Sequence, residues 1–405
     1  MLHGKPGRLI LNIHTMYRLS NDSQKLLGQP MFKVLAKVQE LEKKWENIIH
    51  FEIWDPDFNT PPNITQAAID ALNQWRTHYT NSYGVAAFRE VIAEATLHSR
   101  GFKPTLKQIL VTPWANIILY YAVRCLVNPW DEVIIPDPGF PTYISAVQFC
   151  NAVPKYVPLF EKNDFKLQLS DLKNCVTDKT RLIILNSPSN PTGAVLEKEE
   201  LVAIAQFAID NQIFLLCDEI YSRLIFDATE FYSPSILDEC KEYIIILNWF
   251  SKAFAMTGWR LWVAIWPEDV IEKMALLLQT TSSCVPDFIQ YAGIEAIVGD
   301  QSHVHAMVKE YGERKDILVS WLNAIPWISC NNPHGAIYVF PNISGTGMTS
   351  DEFAQFALEK AKIAVLPWTN FWEYWEWFIR MCYVNSKANI IEWLSRLKIA
   401  LEWNK

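Results

Sequence analysis

Four short stretches hold the residues best able to do chemistry: "NSPSNPTG" at 186–193, "DEIY" at 218–221, "SKAFAMTGWR" at 251–260 and "FIRMCYV" at 378–384. Lys252 stands eight residues before Arg260, just past an apolar run that reads as a strand. A lysine kept from water has a lowered pKa and becomes a nucleophile toward carbonyl carbon. A carboxylate such as Asp218 can hold a pyridine-type nitrogen protonated, which makes that ring an electron sink. An arginine fork, from Arg260 or Arg380, suits a phosphate or a carboxylate. Singly, each feature has a plainer reading: a helix-capping Asp, a solvated Lys, an Asn-Pro turn. Together they fit one chemistry, covalent capture of a carbonyl compound beside anion-binding groups.

Something must bring these stretches together. From about residue 105, β-rich runs ("QILVTP", "DEVIIPDP", "TRLIILNSP", "IFLLCDE", "YIIILNW") alternate with helical stretches such as "ANIILYYAVRCLV" and "EKEELVAIAQFAID". Continuous apolar strands alternating with helices predict an α/β fold with a mostly parallel sheet covered on both faces. In such sheets ligands collect beyond the C-terminal strand ends, where the four stretches are expected to fall. After residue 300 a long helix, the segment "GAIYVFPNI", a helix from Ser350, the strands "IAVLP" and "FIRMCYV" and a final helix predict a smaller α+β domain. The expected division is a leader over 1–24, a segment over 25–62 joining the small domain, a large domain over 63–300 and the small domain over 301–405.

Composition narrows the class. A chain of 405 residues, half of them hydrophobic, can bury a large core. A formal net charge of −8 argues against nucleic acid or an anionic membrane as partner. Eight scattered cysteines without a CxxC pair read as thiols in a reducing compartment, not a disulfide frame or zinc site. The opening apolar stretch is broken by Asn12 and His14, and no run approaches the roughly 18 residues that span a membrane. A cytoplasmic protein is expected.

Seven motifs in order, from "DPDFNTPPNI" and "THYTNSYGVAAFRE" through "PDPGF", "NSPSNPTGAV", "CDEIYSRLIFD" and "SKAFAMTGWR" to "FIRMCYV", make the chain resemble the class I/II aminotransferases of pyridoxal-phosphate fold type I. The resemblance runs from about residue 23 to the end. It implies that Lys252 carries pyridoxal 5′-phosphate through a Schiff base. Asp218 would pair with the ring nitrogen, Asn190 and Tyr221 would bond the ring 3-oxygen, and Phe140 would stack on the ring. Backbone amides of Ala115 and Asn116, with Ser251 and Arg260, would hold the phosphate. Tyr79 would reach the phosphate of the other subunit in a homodimer. Arg380 would clamp the substrate carboxylate near position 54, here Trp54. The implied activity is ping-pong transamination between an L-amino acid and a 2-oxo acid, with 2-oxoglutarate as acceptor. Asn116 stands where some aspartate-specific members carry lysine, so the donor stays open. A carbon–sulfur β-lyase would keep every cofactor residue and differ only after Cα deprotonation.

The glycines and tryptophans do not fit that picture. Glycine is 14 of 405 residues, about half the usual ~7%, while tryptophan is 17. Set against the family, the tryptophans of "IWDPDF", "NQWRTHY", "TPWANI", "NPWDEV", "NWFSKAF", "RLWVAIWPEDV" and "LPWTNFWEYWEWFIR" stand where members usually carry glycine, and only Trp259 in "TGWR" is a tryptophan the resemblance implies. Indoles at 54 and 114 would fill the carboxylate and phosphate sites, one at 130 would sit in a turn needing positive φ, and those within 372–377 would form an exposed apolar patch. The pattern predicts UGA codons that mean glycine. Restoring all but Trp259 gives 14 + 16 = 30 glycines, close to the usual ~7%. Were the tryptophans literal, a non-catalytic scaffold would be the competing reading.

Overall fold

The computed structural model describes residues 20, 23, 30–44, 47–238, 241–368 and 375–403. The leader expected over 1–24 lies almost wholly outside them, as do Trp45, Cys240 and Trp372. The chain begins with α1 (Pro30–Glu42), β1 (Ile49–His50), α2 (Pro62–Asn73) and α3 (Ala86–Arg100). The alternating part then runs β2 (Ile109–Thr112), α4 (Ala115–Leu126), β3 (Glu132–Asp137), α5 (Thr142–Phe149), β4 (Val153–Pro158), α6 (Leu169–Cys175), β5 (Thr180–Asn186), α7 (Lys198–Asp210) and β6 (Phe214–Asp218). It closes with β7 (Ile244–Trp249), β8 (Trp262–Ile265), α8 (Glu268–Thr281) and α9 (Asp287–Val298). The C-terminal part carries α10 (Ser302–Asn323), β9 (Tyr338–Val339), α11 (Ser350–Phe356), β10 (Ile363–Ala364), β11 (Leu366–Pro367), β12 (Ile379–Cys382) and α12 (Lys387–Trp403).

The large sheet has the strand order β2-β8-β7-β6-β5-β3-β4, with only β8 antiparallel to its neighbours. Its inner strands are the apolar runs of the sequence. Ile134, Ile183, Leu215 and Ile245 are fully buried, because helices cover both faces. Two strands escaped the sequence pattern. β4, "VPKYVP", lies at the edge, where its prolines and exposed Tyr156 are tolerated. β8 is only four residues long and begins just beyond the lysine–arginine turn.

A second apolar core gathers α10, α12 and the antiparallel sheet β11-β12-β9. The N-terminal segment is tied to it, since β1 pairs in parallel with β10 and the Cys382 N–H donates to the Phe51 carbonyl at 2.8 Å. None of the described helices is long and apolar enough to cross a membrane.

At the start of that segment the His50 ring contacts the buried Glu52 carboxylate at 2.7 Å and Glu42 at 3.0 Å. The hydrogen bond to Glu52, outweighing the opposing effect of burial, raises the imidazole pKa to about 9. The charged ring therefore stabilises the fold fully below the unfolded value of 6.5, and that contribution disappears as pH rises through 9. His50→Gln should lower the thermal midpoint at about pH 6 and cost much less at about pH 10. Thermal unfolding at the two pH values checks it; an equal loss at both would show that the charge is not what holds the segment.

Among the described residues three tryptophans have left-handed backbone: Trp75 at φ 59°, Trp130 at φ 74° and Trp377 at φ 69°. Trp75 follows the cap of α2, its N–H donating to Leu72 and that of Arg76 to Ala71, a helix ending that favours glycine at this position. Trp130 is the third residue of a Pro-containing turn closed by Asp131 N–H to the Asn128 carbonyl, again a glycine position. The positive φ expected at 130 is present. The exposed patch expected over 372–377 is not supported as a whole. Trp377 is half exposed, but Trp375 is buried against Phe160, Phe165 and Phe378, a pocket that local sequence did not reveal.

Candidate active site

The C-terminal ends of β5, β6 and β7 and the start of α4 converge on a cavity of about 300 Å³. Trp54, Ala115, Asn116, Phe140, Asn190, Asp218, Tyr221, Ser251, Lys252 and Arg260 all line it. Arg380, on β12, is almost fully buried with its guanidinium over the Trp54 ring at 5.0 Å. Tyr79, between α2 and α3, is 90% exposed and does not join its own chain's cavity.

Lys252 follows β7 in a buried turn, and its Nζ donates to the Trp54 carbonyl. Burial lowers its pKa to about 7; nearby Arg380 and Arg260 push the same way, against Cys382 and Asp55. A substantial fraction of this amine is therefore neutral at physiological pH, as a nucleophile must be. Asp218 ends β6. Burial raises its pKa to about 7, although the Tyr143 hydroxyl donates to it at 2.6 Å and the Ile220 N–H at 3.4 Å. Such a carboxyl is short of a positive partner.

Asn186 joins the strand ends. Its Nδ2 donates to the Asp218 carbonyl at 3.0 Å, while its Oδ1 accepts the Asn190 N–H at 2.8 Å. The Tyr221 and Tyr338 hydroxyls are hydrogen-bonded at 2.6 Å, and Tyr338 also faces the Arg380 guanidinium at 4.9 Å. Arg380 Nη2 donates to the Glu52 carbonyl at 2.7 Å and Nη1 to Asn190 Oδ1 at 3.4 Å, while Nε has no partner.

At the other end, α4 starts at Ala115 without a side-chain cap, so its first N–H groups face the cavity mouth as an anion site. The buried Ser251 hydroxyl has no partner. Arg260, itself left-handed at φ 58°, is held by a 2.5 Å hydrogen bond from Nη1 to the Thr257 carbonyl. Its guanidinium lies 4.3 Å from the centre of the Trp114 ring.

These polar groups fit pyridoxal phosphate. The buried lysine suits its carbonyl, the buried Asp218 carboxyl suits a protonated ring nitrogen, and the unpartnered Ser251 hydroxyl, Arg260 and the uncapped α4 amides suit its phosphate. Two indoles do not fit: Trp54 and Trp114 cover the two arginines that should face anions.

The sequence reading passed over Tyr143, Asn186, Tyr338 and Thr257. Asn186 opens the quoted "NSPSNPTG" and could have been weighed with Asn190. Tyr143 lies three residues after Phe140 at the start of α5, where both can face one cavity. Tyr338 carries no local signal, because only the approach of β9 to Tyr221 and to Arg380 on β12 brings it in.

The family model for class I and II aminotransferases matches residues 46–397. An aspartate aminotransferase of Pyrococcus horikoshii is 40% identical over 375 residues, covering 91% of this chain and 95% of that protein. An aromatic-amino-acid aminotransferase of Thermococcus litoralis is 36% identical, with 92% and 96% covered. The solved Thermus thermophilus aspartate aminotransferase with maleate superposes with a TM-score of 0.91 at 30% identity, covering 95% of this chain and all of that one. The site and these likenesses agree: this chain belongs to the class I and II aminotransferases, enzymes that use pyridoxal phosphate to transfer amino groups.

Proposed function

We propose that the chain transfers the amino group of an L-amino acid to a 2-oxo acid, 2-oxoglutarate foremost, in ping-pong order. The observation that carries this reading is a buried lysine with a pKa near 7 sharing a cavity with a buried carboxyl, with a buried arginine adjoining it. When bound, the cofactor supplies the electron sink for the substrate Cα. Arg380 binds the substrate carboxylate through its fork, with Asn190 alongside. Asp218 would keep a proton on the ring nitrogen, with Tyr143 and Ile220 holding its carboxylate in place. With the cofactor bound, Lys252 Nζ would accept the proton from the substrate Cα and hold it for delivery to the acceptor carbon, in a turn buried enough to exclude bulk water.

Tyr221 and Asn190 would hold the ring 3-oxygen, and Phe140 would pack on the ring face. Ala115, Asn116, Ser251 and Arg260 would hold the phosphate once the Trp114 ring no longer covers Arg260. The exposure of Tyr79 suits a homodimer in which it serves the partner's cavity, with the enzyme acting in the cytoplasm. A chain that sediments as a monomer while turning over would rule the dimer out.

Relatives named for aspartate and for aromatic donors both support this reading, and the aromatic wall of Phe140 and Tyr338 suits the second. A panel of aspartate, alanine, tyrosine and leucine with 2-oxoglutarate should show stoichiometric glutamate for at least one donor. Ammonia and pyruvate released from cysteine conjugates without any 2-oxo acid would instead mark a β-lyase.

A further inference from the structure

We propose that the working polypeptide carries glycine at the tryptophan positions other than 259, and that glycine at 54 and 114 opens the two anion sites of this cavity. The proposal rests on the transaminase reading only for its second half.

The backbone supplies the first argument. A left-handed residue costs little for glycine and strains a side chain as bulky as indole. Trp75, Trp130 and Trp377 are all left-handed, and two of them occupy turns whose hydrogen bonds define a glycine position. Trp75 and Trp130 are also 79% and 77% exposed, so no packing gain offsets the strain.

Hydrogen bonding supplies the second. Buried indole N–H groups ordinarily find an acceptor. Those of Trp266, Trp368, Trp375 and Trp393 have none. Trp259 is the internal control: its Nε1–H donates to Thr60 Oγ1 at 2.9 Å, and it is absent from the left-handed set. Trp259, the one excepted on sequence grounds, has the indole hydrogen bond that these four lack.

The site supplies the third. Trp114 immediately precedes the α4 amides and lays its ring against Arg260, while Trp54 lays its ring against Arg380. Removing the two side chains leaves both guanidinium groups facing the cavity, and leaves the Trp54 carbonyl, being backbone, still able to accept from Lys252. One cause, a codon meaning glycine, accounts for faults in turns, core and site alike.

The gene and the native protein test this independently of activity. The expected result is UGA at the sixteen positions and UGG at 259, with peptide sequencing of protein from its own cells giving glycine at 54, 75, 114, 130 and 377. Tryptophan in those peptides would overturn the proposal, whatever the enzyme's activity. Recombinant variants separate the two halves. Trp75→Gly/Trp130→Gly/Trp377→Gly should raise the thermal midpoint of the literal chain, and a fall would count against glycine at these turns. Trp54→Gly/Trp114→Gly should tighten pyridoxal phosphate binding at least about tenfold in a titration followed by absorbance; unchanged affinity would overturn the account of the anion sites. Glycine in native peptides combined with no amino-group transfer would leave the glycines established and sink the transaminase reading alone.

Discussion

Lys252→Ala, made in protein with glycine at 54 and 114, abolishes amino-group exchange, with turnover falling by about ten-thousand-fold. The magnitude follows from the two tasks the site gives one amine. It is the lysine of the cavity, and burial holds its pKa near 7, so it can both attack a carbonyl and carry a proton. Alanine does neither. The fold should survive, because the side chain's described hydrogen bond is one to the Trp54 carbonyl and removing a buried amine also removes its desolvation cost. The direct readout is chemical: borohydride treatment of the parent should fix the cofactor's mass to the peptide containing Lys252, and the variant should show no adduct. Half of the activity remaining, or an adduct on another lysine, would remove Lys252 from its role.

The second large effect is expected at Asp218. Asp218→Asn keeps the shape; its one oxygen can accept the Ile220 N–H, while its NH2 takes the place of the oxygen that accepts the Tyr143 hydroxyl and must donate to that hydroxyl instead. It cannot carry the negative charge that keeps a ring nitrogen protonated in a site where burial strengthens every charge interaction. Turnover should fall by about a hundred- to a thousand-fold. Affinity for the cofactor should fall much less, because the phosphate end is untouched. Thermal stability at about pH 6 should rise, because burial raises the Asp218 pKa from 3.8 to about 7 and the carboxyl must therefore take up a proton on folding, a cost that Asn does not bear. Unchanged turnover would mean that another acid serves the ring; an unfolded variant would mean that the carboxyl holds the strand ends together.

The chemistry was legible in the sequence to the extent that it sits in short, ordered motifs. Asn190, Asp218 and Lys252 lie at or just beyond the ends of apolar strands, and a parallel sheet places such ends along one edge. Arg380 was legible through "FIRMCYV", although its approach to the cavity depends on packing between the two cores. Trp375 shows the limit. Its neighbours suggested an exposed patch, yet Phe160, Phe165 and Phe378 enclose it from segments as many as 215 residues away (375 − 160).

The sequence by itself determined the α/β alternation, the order of the lysine, carboxylate and arginine motifs and the excess of tryptophan over glycine, because apolar period, motif order and composition are local or additive properties. Tertiary structure alone decided the rest. It placed β8 between β2 and β7, brought Tyr338 against Tyr221 and Arg380, and set the pKa values of Lys252 and Asp218 near 7. It also laid the Trp54 and Trp114 rings on the arginines and gave Trp75, Trp130 and Trp377 their left-handed backbone. Burial, ring contact and backbone sign each arise from segments distant in the chain or from the exact closure of a turn, and no residue type carries that information alone.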